Sequence, residues 1–304
     1  MKSIKLLVFG NSYSNDALYW LPKVFLSAGY GEVTVGHILN GGCNINHHFF
    51  NVDDDPENDY GGGASLSRNG TAVEIFPEGT SLKKKYEMLI AAEPWDIIVI
   101  QHGPKDVEKE ETYSHLGDLL NFIKARLQSK DTKFVYHMIW KYNDNITEQN
   151  RTCVHYDKII DISKNIVMAC GEFSGLIPAA TFRENMVSSY LEDKDISRDY
   201  GHMGLSFGRY ALSLLWFRYL TGEPLEKVTF VPTPDGVSDG LKQQYPNEVL
   251  EVKSEDIAVA REAIENAIKT PFKITPSSFT ERSNDQINST SDEEAPPEDE
   301  RDRL

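Results

Sequence analysis

The chain has 304 residues, 40% of them hydrophobic, and a formal net charge of −16. That is enough apolar material for one large single-core domain or two small ones. So acidic a surface repels phosphate backbones and anionic membranes, which excludes nucleic acid as a natural partner, and no apolar run reaches the roughly 18 residues a membrane span needs.

Residues 4–9 predict a fully buried strand that stops abruptly at Gly10-Asn11-Ser12. Residues 16–28 carry helical periodicity in Leu18, Leu21, Phe25 and Leu26, interrupted by Pro22 and ended at Gly29. Residues 32–39 predict a second strand, which runs into Asn40-Gly41-Gly42-Cys43-Asn44. Residues 50–79, rich in Asp, Gly and Asn, predict a long loop with a hairpin around 71–76, signalled by Asn69-Gly70. A helix over 80–92 precedes Trp95–Gln101, the clearest central strand. An amphipathic helix (112–127), a strand (133–139), a long helix (149–170) and a short strand (176–178) follow. Residues 204–220 are largely apolar and predict a mostly buried helix, and 256–268 a further one with Ser254 as candidate N-cap. The run 292–300, Asp-Glu-Glu-Ala-Pro-Pro-Glu-Asp-Glu, cannot build a core. The expected organisation is one domain over 1–272 and an acidic disordered tail over 273–304.

The alternation of strand and helix argues for a parallel sheet covered on both faces. Ligands of such sheets sit beyond the C-terminal strand ends. Ser12, Gly41-Gly42 and Gln101 all fall there.

Those positions suggest a chemistry. Ser12, on a tight turn after a buried strand, is a candidate nucleophile, although the same turn serves equally as a helix cap. In Asp199-Tyr200-Gly201-His202 the carboxylate can orient one imidazole nitrogen and leave the other free to act as base, although one such spacing is also that of a surface ion pair. The backbone N–H groups of Ser12 and Gly42 and the amide of Gln101 are candidate oxyanion donors, although Gly41-Gly42 also serves a plain turn and a strand-end Gln101 equally bonds a neighbouring loop. Asn11, Asn44, His47 and Lys105 are candidates for substrate contact or supporting roles. Cys43, Cys153 and Cys170 have no paired spacing, so each reads as a small buried hydrophobe. His47 and His48 are adjacent and point apart, and Asp53-Asp54-Asp55 lacks the alternation of a calcium loop. No metal and no cofactor is expected.

Together these blocks resemble the SGNH, or GDSL-type, hydrolase superfamily over residues 4–222. Gly10-Asn11-Ser12-Tyr13-Ser14 resembles its first block, with Asn where Asp is commoner, Gly42 its second-block glycine, and Asp199-Tyr200-Gly201-His202 its last block. Gly-Asn-Ser-Tyr-Ser, the Gly-Gly-Cys-Asn turn, Trp95–Gln101 and Gly208-Arg209-Tyr210 running to Leu220-Thr221-Gly222 resemble a little-characterised, mostly bacterial branch. The third block departs: Gly103-Pro104-Lys105-Asp106 puts Lys105 where the superfamily has Asn, so Gln101 becomes the substitute side-chain donor. The resemblance implies a three-layer α/β/α sandwich of flavodoxin-like type with a central parallel sheet and a Ser12-His202-Asp199 triad. It implies hydrolysis of an ester on a small molecule or carbohydrate, O-acetyl groups among the candidates. The first rival is a non-catalytic carbohydrate-binding protein on the same fold, to which Tyr13, Phe49, Phe50 and Tyr60 would lend aromatic contacts. The second is a phosphate-binding flavodoxin-like module, disfavoured by the charge and by the lack of a glycine-rich cradle. Met-Lys-Ser-Ile-Lys runs straight into the first strand, so a cytoplasmic location is expected.

Overall fold

The apolar run after Ile4 forms β1 (Lys2–Gly10), in which Leu6 to Phe9 are buried on both faces, as a central parallel strand requires. The structure, a computed structural model, describes residues 1–53, 61–142 and 155–282. After β1 come α1 (Ser12–Leu18), α2 (Leu21–Ser27), β2 (Tyr30–Leu39), α3 (Ile45–Phe50), β3 (Gly63–Arg68), β4 (Thr71–Val73), α4 (Leu82–Ile90) and β5 (Ile97–Gln101). The second half supplies α5 (Leu116–Lys124), β6 (Lys133–His137), α6 (Tyr156–Ile162), β7 (Gly175–Ile177), α7 (Ala179–Val187), α8 (Asp193–Ile196), α9 (Phe207–Thr221), α10 (Asp239–Gln244) and α11 (Ser254–Lys269).

The sheet has seven strands in the order β4-β3-β2-β1-β5-β6-β7. β2, β1, β5, β6 and β7 are parallel, while β3 and β4 add antiparallel at one edge. Counting only the parallel strands, this is the flavodoxin-like order, and its switch point lies between β1 and β5. The register aligns Gly10 with Leu39 and Gln101 with His137, so these strands end at one rim. Helices α1, α2, α9, α7 and α11 pack together, and α3 packs with α5, giving the expected α/β sandwich. α9 is buried from Phe207 through Phe217, on all sides, as its composition predicts.

Local physics moves several boundaries. The helix expected over 16–28 is two helices: Pro22 stands in the first turn of α2, where its missing N–H costs nothing, and the chain breaks before it. α1 begins earlier than expected because Asn11 caps it. Asn69 (φ 52°) and Gly70 (φ 81°) form the expected hairpin turn, but the strand before it, Gly63–Arg68, was hidden by its weak apolar content. α6 continues through a π-helical turn at Ser163–Val167 and a 3-10 turn to Gly171 (φ 74°); residues 149–154 of the expected long helix lie outside the described residues. Beyond the expected domain end at 272 the chain keeps its contacts. Thr275 N donates to Asn185 Oδ1 at 2.7 Å, and Tyr190 N to Phe279 O at 2.9 Å. The rest of the expected tail, 283–304, lies outside the described residues, as do Tyr60, Cys153, Asp54 and Asp55.

Candidate active site

The turn after β1 is built for close approach. A Cβ at Gly10 would lie 2.3 Å from Ser14 Oγ and 2.9 Å from Gln101 Oε1, so only glycine fits. Asn11 follows with an extended backbone (φ −135°), and its Oδ1 accepts from Tyr13 N at 3.0 Å, which caps α1 and fixes Ser12 as the first helical residue. The Asn11 Nδ2 donates to Cys43 O at 3.2 Å and His102 O at 3.1 Å. Asn11 is fully buried, so it ties three strand-end loops together and does not face a substrate.

Ser12 Oγ lies 2.8 Å from His202 Nε2, and His202 Nδ1 lies 2.9 Å from Asp199 Oδ2. The loop carrying Asp199 and His202 is closed by a Ser197–Met203 bridge and by Arg198 N donating to His202 O at 3.0 Å. Asp199 Oδ1 accepts from Gly201 N at 2.9 Å and His202 N at 2.8 Å, an Asx-type turn. Burial alone would raise the Asp199 carboxyl, but the bonds from the His202 ring, His202 N and Gly201 N outweigh it and bring its pKa down to about 2. An ionised carboxylate only accepts, so His202 Nδ1 carries the proton and Nε2 is left to accept from the Ser12 hydroxyl. The His202 side chain keeps 17% of its surface exposed, so the pair is reachable from solvent.

Packing fixes the loop from below. The Tyr13 ring lies 5.2 Å from the His202 ring and 4.4 Å from Trp140, and Trp140 Nε1 donates to Gly201 O at 2.6 Å. A Cβ at Gly201 would meet Tyr13 Oη at 2.2 Å. Tyr13 is thus part of the support and is buried, not a free aromatic surface for a sugar. Phe49 stacks on His115 at 4.7 Å.

Gly42 has φ 66°, exposed on the turn after β2, and Gly103 packs against that turn so tightly that a Cβ would lie 2.4 Å from Cys43 O. Among the described residues, neither Ser12 N nor Gly42 N donates to a protein acceptor. Gln101 is fully buried at the end of β5. Its Nε2 is 3.0 Å from His137 Nδ1 and its Oε1 accepts from Asn11 N at 3.4 Å, so its oxygen and one of its two N–H donors are engaged inside the rim. Asn44 is also internal: Oδ1 accepts from His47 N, Nδ2 donates to Asp106 Oδ2 at 3.3 Å, and the His47 ring closes the α3 capping box. His47 is half-buried, which lowers its pKa against a smaller opposing pull from Asp106. Lys105 is exposed.

Beneath the site lie four buried histidines, His37, His48, His102 and His137. Burial lowers their pKa values to about 4, 3, 4 and 3 respectively, so all are neutral. Each has a partner: Ser14 Oγ for His37 (2.9 Å), Cys43 Sγ for His48 (2.9 Å), Thr112 Oγ1 for His102 (2.9 Å) and Gln101 for His137. Cys43 is buried as expected, whereas Cys170 is exposed. Among the described residues no group of three or more His, Cys, Asp or Glu is placed to hold a metal ion, and no helix is long and apolar enough to cross a membrane.

The sequence reading missed Asp16, Arg198 and Arg209, which meet under the triad loop. The signal was available in principle: Asp16 stands one helical turn after Ser12, and Arg198 directly precedes Asp199.

A family model described as "Domain of unknown function (DUF4886)" matches residues 5–244. Among solved structures, the chain is similar to a DUF4886 family protein from Bacteroides uniformis ATCC 8492, with 25% identity and a TM-score of 0.72 over 90% of this chain and 98% of that one. It is also similar, at 15% identity and a TM-score of 0.42, to a protein described as "a putative SGNH hydrolase" from Slackia heliotrinireducens, over 70% of this chain and 96% of that one. No curated protein matches the sequence.

Proposed function

The chain belongs to the DUF4886 family, and from the geometry of Ser12, His202 and Asp199 we propose that it is a serine ester hydrolase. The observation that carries the reading is the continuous chain from Ser12 Oγ through His202 to Asp199, with links of 2.8 and 2.9 Å. Nε2 takes the Ser12 proton as Oγ attacks the ester carbonyl, and Asp199 stabilises the imidazolium that forms. The unbonded N–H groups of Ser12 and Gly42 are the donors for the oxyanion. The imidazolium then protonates the leaving alcohol. In the second half a water, deprotonated by His202, attacks the acyl-serine and releases the acid. The substrate class we assign is an ester on a small molecule or carbohydrate, with a short acyl group such as acetyl.

The test is labelling with a fluorophosphonate and mass mapping of the adduct, beside hydrolysis of p-nitrophenyl acetate. Wild-type protein is expected to carry the adduct on Ser12, and Ser12→Ala to lose both labelling and hydrolysis while melting like wild type. Full hydrolysis by Ser12→Ala would overturn the reading. The rival, a carbohydrate-binding protein without catalysis, draws on the departed third block, with Lys105 exposed and Gln101 turned inward. An unlabelled wild-type protein that still binds sugars would favour it.

A further inference from the structure

Asp16, Arg198 and Arg209 form a buried ion cluster that the hydrolytic steps leave unused. Asp16 is fully buried and lies four residues after Ser12 on α1, on the same side of the helix. Its Oδ1 accepts from Arg198 Nη1 at 2.9 Å and from Arg209 Nε at 2.8 Å, and its Oδ2 accepts from Met203 N at 2.9 Å. Arg198 immediately precedes Asp199 and Met203 immediately follows His202. Arg198 Nη1 also donates to Met203 O. One carboxylate therefore grips both ends of the loop that carries the acid and the base, and it does so from the helix that carries the nucleophile.

Stability alone does not account for such a cluster. Two guanidiniums and one carboxylate are held almost out of water, with side-chain exposures of 8%, 4% and 0%. Buried ion groups of this kind seldom outperform apolar packing of the same volume, whereas bonds from three directions leave the carboxylate one orientation. The Arg209 guanidinium, from α9, is further fixed 4.5 Å over the Tyr19 ring.

We infer that Asp16 is a positioning residue of the triad, setting the register between the helix bearing Ser12 and the loop bearing Asp199 and His202. The inference rests on the hydrolase reading above and adds to it a residue that touches neither substrate nor reacting atoms. Asp16→Asn keeps the shape but has one acceptor oxygen in place of two, and turns an NH2 group toward N–H donors.

In Asp16→Asn, kcat for p-nitrophenyl acetate is expected to fall roughly 10- to 100-fold with KM within about twofold, since a misplacement near 1 Å costs about that much. The readout independent of activity is the His202 Nδ1–H proton in the NMR spectrum, identified by its absence in His202→Ala. It is expected to be sharp in wild type and broadened by faster exchange in Asp16→Asn, with circular dichroism unchanged. Should Asp16→Asn not fold, Arg198→Met makes the same test, because it leaves one carboxylate against one guanidinium. A folded variant with wild-type kcat and a wild-type proton signal overturns the inference, as does a loss confined to KM. If wild-type protein hydrolyses no ester, the hydrolase reading fails, while the proton comparison still decides the role of Asp16.

Discussion

Asp199 does two jobs with its two oxygens: Oδ2 orients the imidazole and Oδ1 folds the loop that presents it. An amide at this position can still accept at one oxygen, but its NH2 group would face Nδ1 and select the wrong tautomer. Asp199→Asn is therefore expected to lower kcat by about 10⁴-fold, as loss of the orienting carboxylate does in serine triads, with little change in melting temperature; steady-state kinetics and calorimetry check both. At this scale the sequence was readable where spacing dictates chemistry. Asp199 and His202, three residues apart, and Ser12 at a strand end came together as expected. Gln101 stayed open between two roles because a polar residue ending an apolar strand looks the same whether it faces the cleft or a neighbouring strand. Its partner, His137, is set by the β5–β6 register, which no local pattern encodes.

At the scale of elements, the site depends on loops after β1, β2 and β5 converging on Asn11. Aspartate would cap α1 equally well but would turn a carboxylate oxygen toward the Cys43 and His102 carbonyls in place of an NH2 donor. Asn11→Asp is expected to destabilise the protein by at least about 1–3 kcal/mol, the cost of leaving buried acceptors unpaired, measured by denaturant unfolding at neutral pH. That also gives a physical reason for Asn, where the resembling superfamily more often has Asp. Elements with long apolar runs, β1, β5 and α9, were legible in advance. The position of the α1–α2 break, which Pro22 signalled but did not place, α3 and β3 were not. α3 has six residues, too few for a helical period to emerge, and its capping box of Asn44 and His47 lacks the usual Glu or Gln.

For the whole molecule, the parallel core and its switch point followed from the alternation of strands and helices, because right-handed crossovers leave few other arrangements. The antiparallel edge did not, since Gly63–Arg68 has a single large apolar side chain, Leu66. The buried histidines set a global property. The unfolded chain takes up a proton at each near pH 6.5, whereas the folded chain does so only near 3–4. Their stabilising contribution is complete above pH 6.5 and falls as the pH drops below it, with a slope approaching ~5 kcal/mol per pH unit for four sites. Cooperative unfolding is expected between roughly pH 6 and 4, followed by circular dichroism with proton uptake measured in parallel. A structure that survives intact to pH 3 would contradict it.

Four neutral imidazoles locked inside the fold thus make the acidic branch of any rate profile a record of collapse. Time would reveal it. After a jump back to neutral pH, a chain that has lost their burial must first rebuild the fold around them, and activity would return with a lag rather than within the dead time of mixing.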